Sequence, residues 1–311
     1  MKIEKAGIYR DFDVQAYHDD PAPEPSFSQS IAKVLIDQSP LHAAVAHPRL
    51  TTPADADDEA EKYVKAKAIG DAAHALMIGR GKTLAVCEAD SWRSDKAKNL
   101  RADAEAAGKT PIIAKHLTQA ERIVATGRAQ LDAHEEAACF MNGDGEVALI
   151  WQEGPIWFRC LVDWLHADLR TVDDYKTTGM SVAPHVLGTR AADGGWDIQA
   201  AMIERGLDAL DPAGGGRRRA GLEAPGHDAP NALNVMVMDE HWLTMGRKKL
   251  QHAVDLWSRC MASRQWPGYP PFAVTPEYPG FRETQWLARE MQAAEDAPGR
   301  AISPQDALSA G

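Results

Sequence analysis

The stretch Arg159-Cys160-Leu161-Val162-Asp163-Trp164-Leu165-His166-Ala167-Asp168-Leu169-Arg170-Thr171-Val172-Asp173-Asp174-Tyr175-Lys176-Thr177-Thr178 decides how this chain reads. Apolar residues flank one polar turn at His166-Ala167-Asp168. The pattern predicts a β-hairpin with strands over 161–165 and 169–175. Side chains two apart on a strand share a face, so Asp174 and Lys176 project together. Asp163 can reach the same end of the sheet from the neighbouring strand. It also interrupts an otherwise apolar strand, and aspartate is rarely buried without a partner. Two carboxylates converging in a partly buried place repel each other, and a divalent cation removes that cost. Hard cations such as Mg²⁺ take oxygen ligands, usually a couple of carboxylates with water and phosphate. A lysine beside the cation can orient or deprotonate water, or stabilise charge on phosphate. Asp163, Asp174 and Lys176 are therefore the equipment of metal-assisted phosphodiester hydrolysis. The plainer alternative is an exposed hairpin with ordinary charges, since an Asp-x-Lys triplet alone is common.

Working outward, 146–151 and 156–165 read as two strands of a meander joined by the turn Glu153-Gly154-Pro155. Downstream, 181–193 is partly helical and 196–210 is a helix that follows the Asp174 strand. A Gly/Pro/Arg-rich loop at 211–230 reads as a mobile surface insertion. A short strand at 233–238 and an amphipathic helix at 242–261 follow. From 271 the chain is a Pro-rich, flexible tail, and 290–311 carries no ordering signal. Upstream, Pro21, Pro23 and Pro25 keep 1–25 extended. Ser26-Phe27-Ser28-Gln29 has capping-box spacing before the stripe Ile31, Val34, Leu35. Ser39-Pro40 opens a second helix, with Ser39 as its cap, that stops before His47-Pro48. A polar loop covers 51–58, and an Ala-rich helix over 59–78 carries His74. Gly79-Arg80-Gly81-Lys82-Thr83 is similar to the end of a phosphate-binding loop. Leu76 stands where the first glycine must be, so nucleotide binding there is rejected. Residues 84–115 look irregular. Thr118-Gln119-Ala120-Glu121 reads as the capping box of a helix that buries Ile123, Val124 and Leu131.

The chain has 311 residues, 44% hydrophobic and 25% charged, which suits a soluble globular protein. Its apolar runs are too short to span a membrane, and the first residues lack a signal-peptide core. The cytoplasm is the expected location. Cys87, Cys139, Cys160 and Cys260 are too scattered for a zinc knuckle or a disulfide framework. The net charge of −11 argues against a general nucleic-acid coat protein. It leaves room for an enzyme with one basic groove, to which Arg217-Arg218-Arg219 or Arg247-Lys248-Lys249 could contribute.

Several short segments recur in a familiar order. They are 25–30, Ser39-Pro40-Leu41-His42-Ala43 with His47-Pro48-Arg49-Leu50, 73–79, 159–163, 173–178, 196–201 and 266–269. Together they resemble the PD-(D/E)XK nucleases, and among them the exodeoxyribonuclease VIII (RecE-type) group of phages and prophages. The resemblance covers roughly residues 20 to 270, which makes 1–270 the expected exonuclease domain. It implies an α/β restriction-endonuclease-like core, a central mixed sheet flanked by helices. It implies His74, Asp163 and Asp174 as metal ligands for Mg²⁺, with Mn²⁺ as a substitute, and Lys176 as the catalytic lysine. Gln199 matches the glutamine of the helix after the catalytic strands, and with Arg159 it is a candidate for substrate contact. A tyrosine expected four residues after Gln199 is replaced by Ile203, and Val162 stands where the family's proline would be. The cysteine spacing does not match the iron–sulfur pattern of some relatives. The implied activity is exonucleolytic digestion of double-stranded DNA from its ends, 5′ to 3′, to supply single strands for recombination. The implied partners are DNA ends, a single-strand annealing protein and further copies in a ring, with no ATP and no membrane. An endonuclease, a single-strand nuclease or an inactive DNA-binding module on the same core are the alternatives. Outside the resemblance, His74 reads more readily as a core or surface histidine than as a ligand, Glu146 as an exposed strand-start residue ahead of a further acidic group near the metals, and Arg159 as solvated.

Overall fold

The computed structural model describes residues 2–51, 61–134, 138–178, 181–214, 219–223 and 230–295. Contacts divide the chain into two units, Met1–Gly268 and Tyr269–Gly311. The first unit begins with β1 (Gly7–Tyr9), α1 (Val14–His18), β2 (Phe27–Ser28), α2 (Gln29–Asp37), α3 (Pro40–Ala46) and α4 (Glu61–Ile78). Next come β3 (Leu84–Cys87), α5 (Asp95–Ala106), β4 (Thr110–Ile113) and α6 (Ala114–Asp132). The meander is β5 (Gly143–Glu153), β6 (Ile156–His166) and β7 (Thr171–Tyr175). After it lie α7 (Pro184–Gly194), α8 (Trp196–Leu210), β8 (Arg219–Glu223), β9 (Val235–Val237) and α9 (Glu240–Ser263). The second unit holds α10 (Gly280–Glu295).

The main sheet runs β1-β5-β6-β7-β8-β9, with β2 joined to β6 in parallel. β5 pairs with β1 and β6 antiparallel, β6 with β7 antiparallel, and β7 with β8 in parallel. The fold is therefore α/β, with a mixed sheet flanked by helices. β5 is apolar on both faces because both are covered. Val147, Leu149 and Trp151 join Phe27, Phe158 and Trp257 in a core shared with α2, α8 and α9. Ala148 and Ile150 pack instead with Phe12, Tyr17 and Trp157 against the N-terminal segment. A further core forms where α4 and α6 meet around Ile69, Ala73, Ile112 and Ile123. Among the described residues, no helix is long and apolar enough to cross a membrane.

Several local expectations are corrected. The cap of α2 is Ser28, two residues later than the Ser26 box, because Phe27 and Ser28 pair with β6 first. Ser39 caps α3 with Pro40 in its first turn, as its sequence implies. The helix assigned to the Thr118 box starts four residues earlier, and Thr118 bonds back to the Ala114 carbonyl. The segment 84–115 is not irregular. It holds a two-stranded parallel sheet, β3 with β4, and a polar helix, α5, that is buried only through Ala97 and Ala104. Alanine burial leaves little periodicity to read. Within 211–230, β8 adds to the sheet through backbone pairing of an Arg-Ala-Gly-Leu-Glu segment with no β-branched residue. The 51–58 loop falls, beyond Thr51, outside the described residues. The expected tail contains α10, which starts just after Pro279 in a stretch free of proline up to Pro298. The expectation for 296–311 lies outside the described residues.

α8 and α9 cross with unusually close backbones at Gly246. A Cβ built there would stand 2.0 Å from the Asp197 carbonyl oxygen. Gly246→Ala is therefore expected to destabilise the protein by about 1–3 kcal/mol through overpacking. The measurement is the urea midpoint at constant slope; a midpoint equal to wild type would contradict the close approach.

Candidate active site

The two-residue turn Gly154-Pro155 sets the register of β5 against β6. Gly145 lies opposite Trp164 and Val147 opposite Val162, which leaves Glu146 facing Asp163. On the other side, Trp164 pairs with Asp173 and Leu165 with Val172. One step further places Asp174 beside Asp163. Three carboxylates, Glu146, Asp163 and Asp174, thus stand abreast on three neighbouring strands. Like charges in such positions destabilise a sheet. The ladder is interrupted here. Glu146 adopts a left-handed φ of 51°, uncommon for a residue with a Cβ. Along β6, Phe158, Cys160 and Val162 face one core, and then Leu165 does, so the alternation slips at Asp163. Tyr175 N–H donates to Asp163 Oδ2 (2.9 Å) in place of a strand bond.

Other elements bring compensating groups. α4 carries His74, whose Nε2 is 3.1 Å from Asp163 Oδ2 and whose Nδ1 is 3.8 Å from Glu146 Oε1. Gly70 lets α4 approach the strand end, since a Cβ there would be 2.9 Å from Thr177 Oγ1. Lys176 Nζ donates to Asp174 Oδ1 (2.7 Å), and Gln199 Nε2 on α8 donates to the same oxygen (2.6 Å). Asp174 Oδ2 is 2.6 Å from the same ammonium but makes no hydrogen bond and is fully buried. β6 shares one edge between β2, which pairs up to Arg159, and β7, which pairs from Trp164. Asp163 lies in the gap. An open cleft of about 340 Å³ leads to it, lined by Tyr17, Gln29, Arg159, Lys176 and Gln199 among others.

The charges are strongly perturbed. Burial pushes the Asp163 carboxyl up, but the His74 charge and hydrogen bond, Lys176 and the Tyr175 N–H together hold it well below the carboxylate range. Burial and then the Asp163 charge push Asp174 up to about 6, against the pull of Lys176. Burial disfavours the His74 imidazolium, yet Asp163 and Glu146 overcome it and raise its pKa. Glu146 is raised as well, by burial first and by Asp163, with His74 opposing. Carboxyls held apart in this way suit proton handling near neutral pH.

The structure thus brings His74, Asp163, Asp174, Lys176 and Gln199 together. Arg159 reaches the cleft but is only 5% exposed. Its Nη1 donates to Ser26 O (3.0 Å) and Oγ (2.7 Å) and lies 3.3 Å from Asp20 Oδ1. It fastens the N-terminal segment to β6 and is not solvated. Two residues of the cluster at 247–249 are occupied as well: Arg247 holds Glu204 and Glu240, and Lys249 holds Asp197. Arg217 and Arg218 lie outside the described residues. Asp173 faces away from the row and pairs with His166 (2.6 Å). Glu146 is the site residue that the sequence reading set second, as a further acidic group less favoured than an exposed strand start. It is 7% exposed, not an exposed strand start. The signal was present, because the Gly154-Pro155 turn already sets 146 opposite 163.

Among the described residues, no three His, Cys, Asp or Glu side chains form a ready-made metal cage. The donor set itself fits a hard divalent cation. It offers three carboxylates and an imidazole, with Asp174 Oδ2 buried against the Lys176 ammonium (2.6 Å).

No family model matches the chain, and no curated protein matches it. A solved structure does. The crystal structure of a "putative exonuclease" from Eubacterium rectale aligns with a TM-score of 0.54 at 10% identity, over 88% of this chain and 96% of that one. The two chains share a fold. At that identity the likeness extends to the arrangement of strands and helices.

The raised Asp174 makes a pH-dependent prediction for the metal-free protein. Below about pH 4 the carboxyl is neutral both folded and unfolded, and it costs nothing. As pH rises toward 6 the unfolded state ionises first, and folded stability falls. Asp174→Asn keeps the Gln199 hydrogen bond and removes this charge. It should stabilise the chelator-treated protein at pH 7.5 by about 1–3 kcal/mol, with the gain vanishing near pH 4. Equal differences in urea midpoint at the two pH values would contradict the perturbed carboxyl.

Proposed function

We propose that this chain is a metal-dependent nuclease of the PD-(D/E)XK kind, most similar in motif to the exodeoxyribonuclease VIII group. On this reading it digests double-stranded DNA from its ends, 5′ to 3′. The observation that carries the reading is the meeting of His74, Asp163, Asp174, Lys176 and Gln199, contributed by α4, β6, β7, the segment after β7 and α8. Five side chains in the order of the motif have no packing reason to converge on a buried carboxylate row. The shared fold with a "putative exonuclease" agrees with it.

In this reading Asp163, Asp174 and His74, with Glu146 beside them, would hold Mg²⁺ or Mn²⁺, which would supply Lewis-acid polarisation of a phosphate. The chain's own groups do the rest. Gln199 and Lys176 fix the orientation of Asp174 through Oδ1. His74 and the Tyr175 N–H fix that of Asp163. The Lys176 ammonium places a positive charge at the cleft floor, where it can align the attacking water and steady charge developing on phosphate. The role in phage-type recombination, an annealing partner and a ring of copies belong to the same proposal through the motif resemblance.

Linear and closed-circular duplex DNA, each incubated with the protein and Mg²⁺, test the activity. Degradation of the linear form alone is expected. Attack on both forms would mark an endonuclease, and a mobility shift without cutting would mark a binding module. Lys176→Ala should keep duplex-end affinity within a few-fold yet lose about 10²- to 10⁴-fold in single-turnover cleavage. A near-normal rate at saturating DNA would remove the lysine from the mechanism.

A further inference from the structure

The loop between α4 and β3, Gly79-Arg80-Gly81-Lys82-Thr83, fails as a nucleotide-binding loop, but its position suits another task. α4 carries His74, and the loop leaves that helix one turn later, with Gly79 N–H bonded to Ala75 O (3.0 Å). Gly79 at φ 73° and Gly81 at φ 129° turn the chain back sharply. A Cβ on Gly81 would stand 3.6 Å from Glu146 Oε1, so bare backbone lies against that carboxylate. Arg80, Gly81 and Lys82 form one wall of an open cleft of about 440 Å³, with Glu146 in its lining and Phe12 and Gln15 opposite. The cleft at Lys176 and Gln199 approaches the row from Asp163. Glu146 and Asp163 face each other in the strand register. The two clefts therefore open on the two members of one carboxylate pair.

A row of carboxylates in a chain of net charge −11 repels a polyanion. Cations beside the row must offset that repulsion. Lys176 serves the Asp163 cleft, and Arg80 and Lys82 are the basic side chains of the Glu146 cleft. Neither is strongly committed. Arg80 pairs with Asp11, whose side chain is 76% exposed, and such a pair contributes little. Lys82 Nζ bonds the neutral Gln15 Oε1 (2.9 Å) and forms no ion pair among the described residues. Asp13, also in the cleft, is occupied in capping α1. Both cations can exchange these partners for phosphate, the arginine as a two-pronged donor and the lysine as a point charge.

We propose that the 79–83 loop binds backbone phosphates of the nucleic-acid strand on the Glu146 side of the cleavage site. The inference rests on the nuclease reading and adds a strand-holding surface to it.

Fluorescence anisotropy of a labelled duplex with a single-stranded overhang, in chelator so that no cutting occurs, tests it across a salt series. The Arg80→Gln/Lys82→Gln protein is compared with wild type and with Lys98→Gln/Arg101→Gln, which removes the same charge from α5, a helix lining neither cleft. Two lost phosphate contacts should reduce the slope of log affinity against log salt by about 2 and weaken low-salt binding roughly tenfold or more. The α5 variant should match wild type within about twofold. Thermal melting checks the fold. If the double variant melts early, Lys82→Gln alone should still lower the slope by about 1. A slope indifferent to these substitutions, or an equal change in the α5 variant, overturns the loop's role and leaves the nuclease reading standing. A wild-type protein that binds the duplex neither in chelator nor with Ca²⁺ present overturns both.

Discussion

Three negative charges held side by side across neighbouring strands are the constraint from which the rest of the site follows. A sheet made only of backbone bonds would splay at Glu146, Asp163 and Asp174. It remains closed because each charge is met by a group from elsewhere. His74 meets Asp163 and Glu146, the Tyr175 N–H meets Asp163, and Lys176 and Gln199 meet Asp174. The interrupted ladder, the left-handed Glu146 and the slipped alternation at Asp163 are one local distortion seen from three strands. Such strain persists only where the surroundings over-determine it, and it concentrates at functional sites.

The surrounding architecture is arranged to deliver those groups. The Ile69 and Ala73 face of α4 is buried, which presents His74 to the row. α8 buries Ile198 and Met202 in the main core, and Gln199 between them points to Asp174. α9 holds α8 in place by the close approach at Gly246 and by the Lys249–Asp197 pair. The stability of these helices and the geometry of the site are thus the same problem.

Much of this was legible in the residues. The two apolar runs at 147–151 and 156–165 and the Gly154-Pro155 turn between them define the meander and its register. An aspartate inside an apolar strand marks Asp163, and the two-residue spacing marks Asp174 with Lys176. Gln199 was different, since one polar residue on an amphipathic helix carries no signal of its own and only the motif resemblance singled it out. The solvated reading of Arg159 failed because its partners, Asp20 and Ser26, are distant in sequence. The elements missed outright share a cause. α5 is buried through alanines, β3 and β4 have four residues each, and β8 is held by backbone pairing without an apolar stripe. Periodicity needs a window longer than these strands, and it fades where alanine does the burying.

The divided edge of β6 has a consequence for how the chain folds. The antiparallel meander is local, so its strands can pair early. The parallel strand β2 and the hydrogen bond from Arg159 to Ser26 close a loop of 133 positions. That closure is slow relative to hairpin formation. The wall of the cleft carried by Tyr17 and Gln29 is thus expected to close after the meander has paired. The N-terminal segment, made before the meander, is expected to dock after it, leaving the carboxylate row open along one side in between.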